Sequence, residues 1–176
     1  VQHFNLRAKN RYSAACGDNS AAVMTFPTEF ADIQREYPIV FAKDSATGAY
    51  QAVALLGVQA EENLFLNETA SVGSGWVGNY VPAIVARGPF IIGMPDDGDM
   101  DSAPVVFVDL DSSKVSESEG EALFLPMGGS SPYLDRIVRM LGVIQQGKAI
   151  GDLMYAQFDA LNLFELVTID AELSNG

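Results

Sequence analysis

Two short apolar runs, Pro38 to Ala42 and Tyr50 to Leu56, flank a polar segment, Lys43 to Ala49, that contains Gly48. Runs rich in Val, Ile, Phe, Tyr and Leu around a polar, glycine-bearing connection read as two antiparallel strands joined by a solvated loop. The wider stretch from Tyr37 to Phe90 also holds the only tryptophan, Trp76, and the clearest turn signals, so the core is expected to nucleate here. None of its residues makes a recognisable catalytic set.

The flanking segments fill in an α+β plan. Val1 to Ala22 is weakly patterned and reads as an edge strand or, over residues 1–25, as an extended N-terminal arm. Pro27 and Thr28 open a short helix through Glu36. Pro suits a first turn, Glu29 and Asp32 lie near the positive end, and Phe30, Ile33 and Tyr37 recur at helical spacing, a face expected to dock on the hairpin. Beyond the hairpin, Glu62 to Leu66 reads as a third strand and Asn67 to Gly78 as a loop. Tyr80 to Ala86 reads as a short helix or a strand, with Pro82 arguing against a central strand. Phe90 to Met94 and Val105 to Leu110 read as a further pair of strands. After the polar Asp111 to Gly120, Ser130 or Ser131 can cap a helix with Pro132 at its first position, and Leu134, Ile137, Val138, Leu141 and Ile144 share one face. A second apolar set, Leu153, Met154, Phe158 and Leu161, continues past Gly147 and Gly151, which reads as two helices or one that is bent. The expectation is a single domain over residues 1–176: an antiparallel β-sheet with a C-terminal helical pair packed on one face.

Composition narrows function. At 176 residues and 48% hydrophobic content, one domain with a sizeable core is expected. Ten Lys and Arg against 23 Asp and Glu leave a formal charge of −13, which argues against nucleic acid and anionic membrane surfaces as partners and leaves cationic partners or divalent ions open. No apolar run approaches the length of a membrane-spanning helix. Cys16 has no second cysteine to pair with. The only histidine is His3, at the start of the chain, so a Ser or Cys nucleophile lacks its usual base and a closed zinc site lacks ligands. A carboxylate pair is the remaining catalytic option, with Glu61 and Glu62 the pair to inspect. Glu62 and Asn63 also suit a structural role, tying a loop to neighbouring backbone groups.

Two constellations are candidate binding sites. In the acidic loop, Asp97, Asp99 and Asp101 alternate as in loops that wrap oxygen ligands around calcium. Counted from Asp97, however, position six is Ser102 rather than Gly and position twelve is Val108 rather than Glu, so a solvated hairpin loop is the favoured reading. The second set is Trp76, Tyr80, Arg87 and Phe90: aromatics with an Arg are typical of ligand or partner hot spots, but packing at the rim of a core with a structural Arg ion pair is the favoured reading. Gly128-Gly129-Ser130-Ser131 leads into a helix, where an anion or a plain helix cap accounts for it.

Tyr37-Pro38-Ile39-Val40-Phe41, Val53-Ala54-Leu55-Leu56-Gly57, Glu62-Asn63-Leu64-Phe65, Trp76, Tyr80-Val81-Pro82-Ala83, and Arg87 with Pro89-Phe90 follow one another as in the SapC family, which the chain resembles from about Phe26 to about Leu166. The resemblance continues through Gly120-Glu121-Ala122-Leu123-Phe124. The family is bacterial and takes its name from a protein associated with a paracrystalline surface layer. The resemblance implies a non-enzymatic structural or interaction protein, at the bacterial cell surface or in the cytoplasm, that acts by self-assembly or through a protein partner. It carries over no catalytic residue, and no cofactor beyond the calcium considered above. The alternatives are an accessory domain binding a small molecule or peptide near Trp76, and an enzyme using carboxylates or a metal. Family members run on past Gly176. The strand-like Phe164 to Leu173, followed by the turn signal Asn175-Gly176, looks like a hairpin without its second half, so the chain is expected to be a fragment or a processed form.

Overall fold

The computed structural model describes residues 4–67, 69, 74–93 and 104–168. The hairpin forms as expected: β3 (Ile39–Lys43) pairs antiparallel with β4 (Tyr50–Leu55), with Phe41 opposite Ala52. The Asp44 carboxylate closes the loop by accepting from the backbone N–H groups of Ala46 (2.8 Å) and Thr47 (2.7 Å). β2 (Ala22–Met24) pairs with the other side of β4, giving a sheet of order β2-β4-β3. Ala52 and Ala54 are fully buried in β4, and their small side chains let neighbouring elements approach the sheet closely.

The short helix before the hairpin is a 3₁₀ turn, Pro27–Glu29, followed by α1 (Phe30–Ile33). As expected, its apolar face meets the hairpin: Ile33 and Tyr37 join Ala54, Leu56, Tyr12 and Trp76 in one buried cluster. Tyr80 to Ala86 resolves into a short helix, α2 (Ala83–Ala86), whose N-cap is Pro82. β5 (Phe90–Gly93) and β6 (Val105–Val108) form the further antiparallel pair.

Three elements depart from the expectation. Arg7–Ala8 (β1) is neither a free arm nor an edge: it is the middle strand of a sheet with β7 (Val115–Ser116) and β8 (Glu121–Ala122), and Leu6 and Ala8 sit in a second core with Phe90, Leu123, Tyr133, Ile137 and Leu141. Glu62 to Leu66 is not a third strand. The left-handed Glu61 (φ 59°) and the Asn63 side chain, which accepts from Phe65 N–H, fold it into turns, and only a single bridge joins Leu66 to Trp76.

The expected helical pair is one uninterrupted helix, α3 (Pro132–Ala160). Gly147 is not a break: a Cβ there would lie 2.5 Å from Phe26 Cβ and 2.5 Å from Thr28 Oγ1, so the glycine lets α3 cross the 3₁₀ turn in contact. Thr28 Oγ1 fixes the crossing by donating to the Val143 carbonyl at 3.0 Å. Ser131 is the N-cap, accepting from Leu134 N–H at 3.2 Å, with Pro132 behind it. The helix stops at Asn162, which is left-handed (φ 53°), while Asn162 N–H bonds the Asp159 carbonyl and Leu163 N–H the Phe158 carbonyl. That pair of reversed bonds satisfies the last carbonyls of the helix. The fold is α+β: the described residues form three small antiparallel sheets, with α3 closing the second core at its first half and packing on the 3₁₀ turn and β4 further along. Among the described residues, no helix is long and apolar enough to cross a membrane.

Candidate interaction site

A concave apolar face lies along the β3 side of the hairpin. β3 is an edge strand, paired on one side with β4 and without a strand partner on the other among the described residues. Cross-strand pairing puts Phe41 on the same face as the buried Ala52, and its place on the edge strand leaves it 37% exposed. Its ring meets Tyr155 edge-on (5.5 Å), Phe158 edge-on (6.4 Å) and Phe164 (5.2 Å), while Phe164 stacks on Tyr50 at 3.8 Å. The rings of Phe41, Tyr50, Phe158 and Phe164 floor a groove of about 730 Å³ between β3, β4, the end of α3 and the segment that follows it. Leu163, Leu166 and Val167 project from that segment, Leu166 almost fully exposed at 95%. Lys43, with its ammonium 4.9 Å above the Tyr50 ring, and Glu165 supply the charges at its margin. Residues 164–168 take no regular secondary structure; the rest of the run read as strand-like, with the Asn175-Gly176 turn, lies outside the described residues.

The sequence candidates are distributed differently. Trp76 (9% exposed) is inside the first core, edge-on to Tyr12 at 5.5 Å, and its indole N–H donates to the Tyr37 hydroxyl at 3.0 Å. Tyr37 passes a hydrogen bond on to the Tyr80 carbonyl. Phe90 (1% exposed) belongs to the other core, edge-on to Tyr133. Arg87, half-buried at the end of α2, donates through Nη1 to the Phe90 carbonyl at 2.7 Å, and burial holds its guanidinium below the usual value. Trp76 and Tyr80 are thus brought together, as are Arg87 and Phe90, but the four do not share one surface. Asp97, Asp99 and Asp101 lie outside the described residues, as does His3.

Glu62 and Asn63 do what their residue types suggested. The Glu62 carboxylate accepts from Val58 N–H (2.9 Å) and Gln59 N–H (3.2 Å), and Asn63 Nδ2 donates to the Asp18 carbonyl at 2.8 Å. Glu61 beside it is exposed, so the pair is split between a backbone tie and solvent.

Three buried charges, Glu29 and the Lys114–Asp18 pair, escaped the sequence reading. Glu29, 2% exposed, accepts four hydrogen bonds: Thr25 Oγ1 (3.0 Å) and Phe26 N–H (3.3 Å) on one oxygen, Tyr80 OH (2.9 Å) and Ala83 N–H (2.8 Å) on the other. It therefore joins the 3₁₀ turn to the start of α2, and burial followed by the Glu29 charge holds the Tyr80 phenol well above its ordinary range. Lys114 reaches Asp18 at 2.7 Å with both side chains buried, its ammonium 4.8 Å over the Tyr12 ring. Spacing gives no hint of the ties from Glu29 to Tyr80 and Ala83 or from Lys114 to Asp18, because each links residues far apart in the chain.

The geometry therefore defines an α+β protein in which the buried Glu29 and the Lys114–Asp18 pair hold loops together, and in which an edge strand carries an aromatic groove. The family model for SapC matches residues 1–176, and the chain belongs to the SapC family. No curated protein and no solved structure matches it.

Proposed function

We propose that this SapC-family chain is a non-enzymatic interaction component that joins a protein assembly through the β3 edge and its aromatic groove. The observation that carries the reading is the conjunction of a strand edge that is unpaired among the described residues with a concave apolar face: the edge offers backbone donors and acceptors to an added strand, and the groove offers pockets for its alternate side chains. Soluble monomers seldom leave such a face open unless it binds something. The surface-layer setting rests on the family resemblance alone, and calcium bound at Asp97, Asp99 and Asp101 would be its cationic counterpart in a chain of net charge −13.

The test is light-scattering mass across a concentration series, with and without millimolar calcium, for the native chain and for Phe41→Glu. The expected result is a mass above 18.9 kDa that returns to 18.9 kDa in the variant, with an unchanged circular dichroism spectrum. A native chain that stays monomeric throughout, and that retains the same bound proteins as Phe41→Glu when recovered from its source, would count against this reading.

A further inference from the structure

Two hydrogen bonds at the ends of the hairpin fix which way each residue of β3 turns its backbone. Leu55 N–H donates to the Pro38 carbonyl at 3.0 Å and Asp44 N–H to the Ala49 carbonyl at 2.9 Å, in the same register as the strand pairs between them. Bonded and non-bonded positions alternate along an antiparallel ladder, so Val40 and Ala42 turn their backbone groups toward β4, while Ile39, Phe41 and Lys43 turn theirs toward the open edge. Among the described residues, no other backbone group bonds to that outward side.

A second β3 laid antiparallel against the first satisfies all of these groups in one register. With Phe41 opposite Phe41, Ile39 of each copy stands opposite Lys43 of the other, and every facing pair exchanges both of its bonds. Sliding the strands by two residues in either direction carries Ile39 or Lys43 past the end of its partner strand. The register centred on Phe41 has a two-fold axis, the arrangement in which one patch meets itself. It sets the two Phe41 rings side by side on the face that carries the groove, next to the exposed Leu163, Leu166 and Val167. Charge agrees with it locally. Lys43 and Glu165 both line the groove, both are exposed, and among the described residues neither makes an ion pair. The two-fold axis brings the Lys43 end of one strand to the Ile39 end of the other, so each groove presents its cation and its anion to the opposite charge of its mate.

We propose that the occupant of the β3 edge is a second copy of this chain, paired antiparallel with Phe41 on the two-fold axis and Lys43 of each copy facing Glu165 of the other, so that two sheets become one of order β2-β4-β3-β3-β4-β2. The inference rests on the assembly reading above and adds the partner and the register. The test is disulfide trapping under mild oxidation in a Cys16→Ser background, with Val40→Cys and Ala42→Cys, whose backbone groups are already engaged with β4. In this register Val40 of one copy stands opposite Ala42 of the other at a non-hydrogen-bonded position, a Cα separation of about 4.5 Å that a disulfide spans, whereas two cysteines at the same position stand diagonally at about 7–8 Å. A mixture of the two variants should give a dimer crosslinked from 40 to 42, and each variant alone about tenfold less of it. Lys43→Glu and Glu165→Lys should each weaken association about threefold to tenfold, and the two together should restore it. Should either cysteine variant fail to fold, this charge exchange decides. Crosslinking of one variant alone that matches the mixture, or a double charge variant no tighter than the single ones, would overturn the proposal. So would a native chain that stays monomeric yet retains source proteins that Phe41→Glu loses, which leaves the edge as a docking site for a different protein. A monomer that retains the same proteins as Phe41→Glu would overturn the assembly reading as well.

Discussion

At the scale of single residues, Glu29 is the side chain on which the fold depends most specifically. A carboxylate accepts from all four of its donors, whereas a carboxamide of the same shape must turn its NH₂ toward two of them. The hydroxyl of Thr25 or Tyr80 can rotate and accept, but the backbone N–H of Phe26 or Ala83 cannot. Glu29→Gln is therefore expected to cost about 2–4 kcal/mol in urea denaturation, and Tyr80→Phe, which removes one donor, less. The tyrosines give a pH prediction. Burial pushes Tyr12 and Tyr155 up to about 12 and raises Tyr37 and Tyr133 as well, so the folded chain holds its phenol protons more tightly than the unfolded chain. Their contribution is fully present below the unfolded value near 10 and is lost as pH rises from about 10 toward about 12. Phenolate absorbance and loss of near-ultraviolet dichroism should rise together over that window. Separate transitions, with phenolate appearing in a folded chain, would contradict it.

At the scale of elements, α3 contains glycines whose roles are opposite. A Cβ at Gly142 would meet nothing within 4 Å, so Gly142→Ala is expected to add about 0.5–1 kcal/mol of stability from helix propensity. At Gly147 the same change drives a methyl group into Phe26 and Thr28, and the overpacking should outweigh that gain and destabilise by about 1–3 kcal/mol. Thermal unfolding of the two variants checks both signs. The contrast also explains what the sequence concealed. The hairpin, α1 and the β5–β6 pair were legible because each carries its own local pattern and turn chemistry. β1, β7 and β8 are two residues long, too short for any periodicity to register, and their pairing joins residues more than a hundred positions apart. Gly147 and Gly151 read as interruptions because a glycine that ends a helix and one that admits a neighbour look alike until the neighbour is placed. The groove was half legible: Phe41 was assigned to a strand, but its meeting with Phe158 and Phe164 is tertiary.

At the scale of the molecule, an apolar contact face on a chain of net charge −13 sets two forces against each other. Burial of Phe41, Leu163 and Leu166 against a second surface favours association, and the like charge of two such chains opposes it. Repulsion between exposed charges is screened over a Debye length of about 30 Å at 0.01 M salt and about 8 Å at 0.15 M, while the apolar contribution persists. Self-association through β3 should therefore strengthen as sodium chloride rises from about 0.01 M to about 0.15 M, the reverse of an assembly held by opposite charges. Calcium acts by a different route. Bridging by Asp97, Asp99 and Asp101 would show as added mass at matched ionic strength, removed by a chelator and by replacing those three residues with Asn. Phe41→Glu should abolish the salt-promoted association, because it places a charge on the edge strand and in the groove together. If association weakens with salt and is unaffected by Phe41→Glu, the contact is electrostatic and lies elsewhere. If it strengthens with salt but only calcium produces the heavier species, the groove joins pairs of chains and the acidic segment joins the pairs to one another.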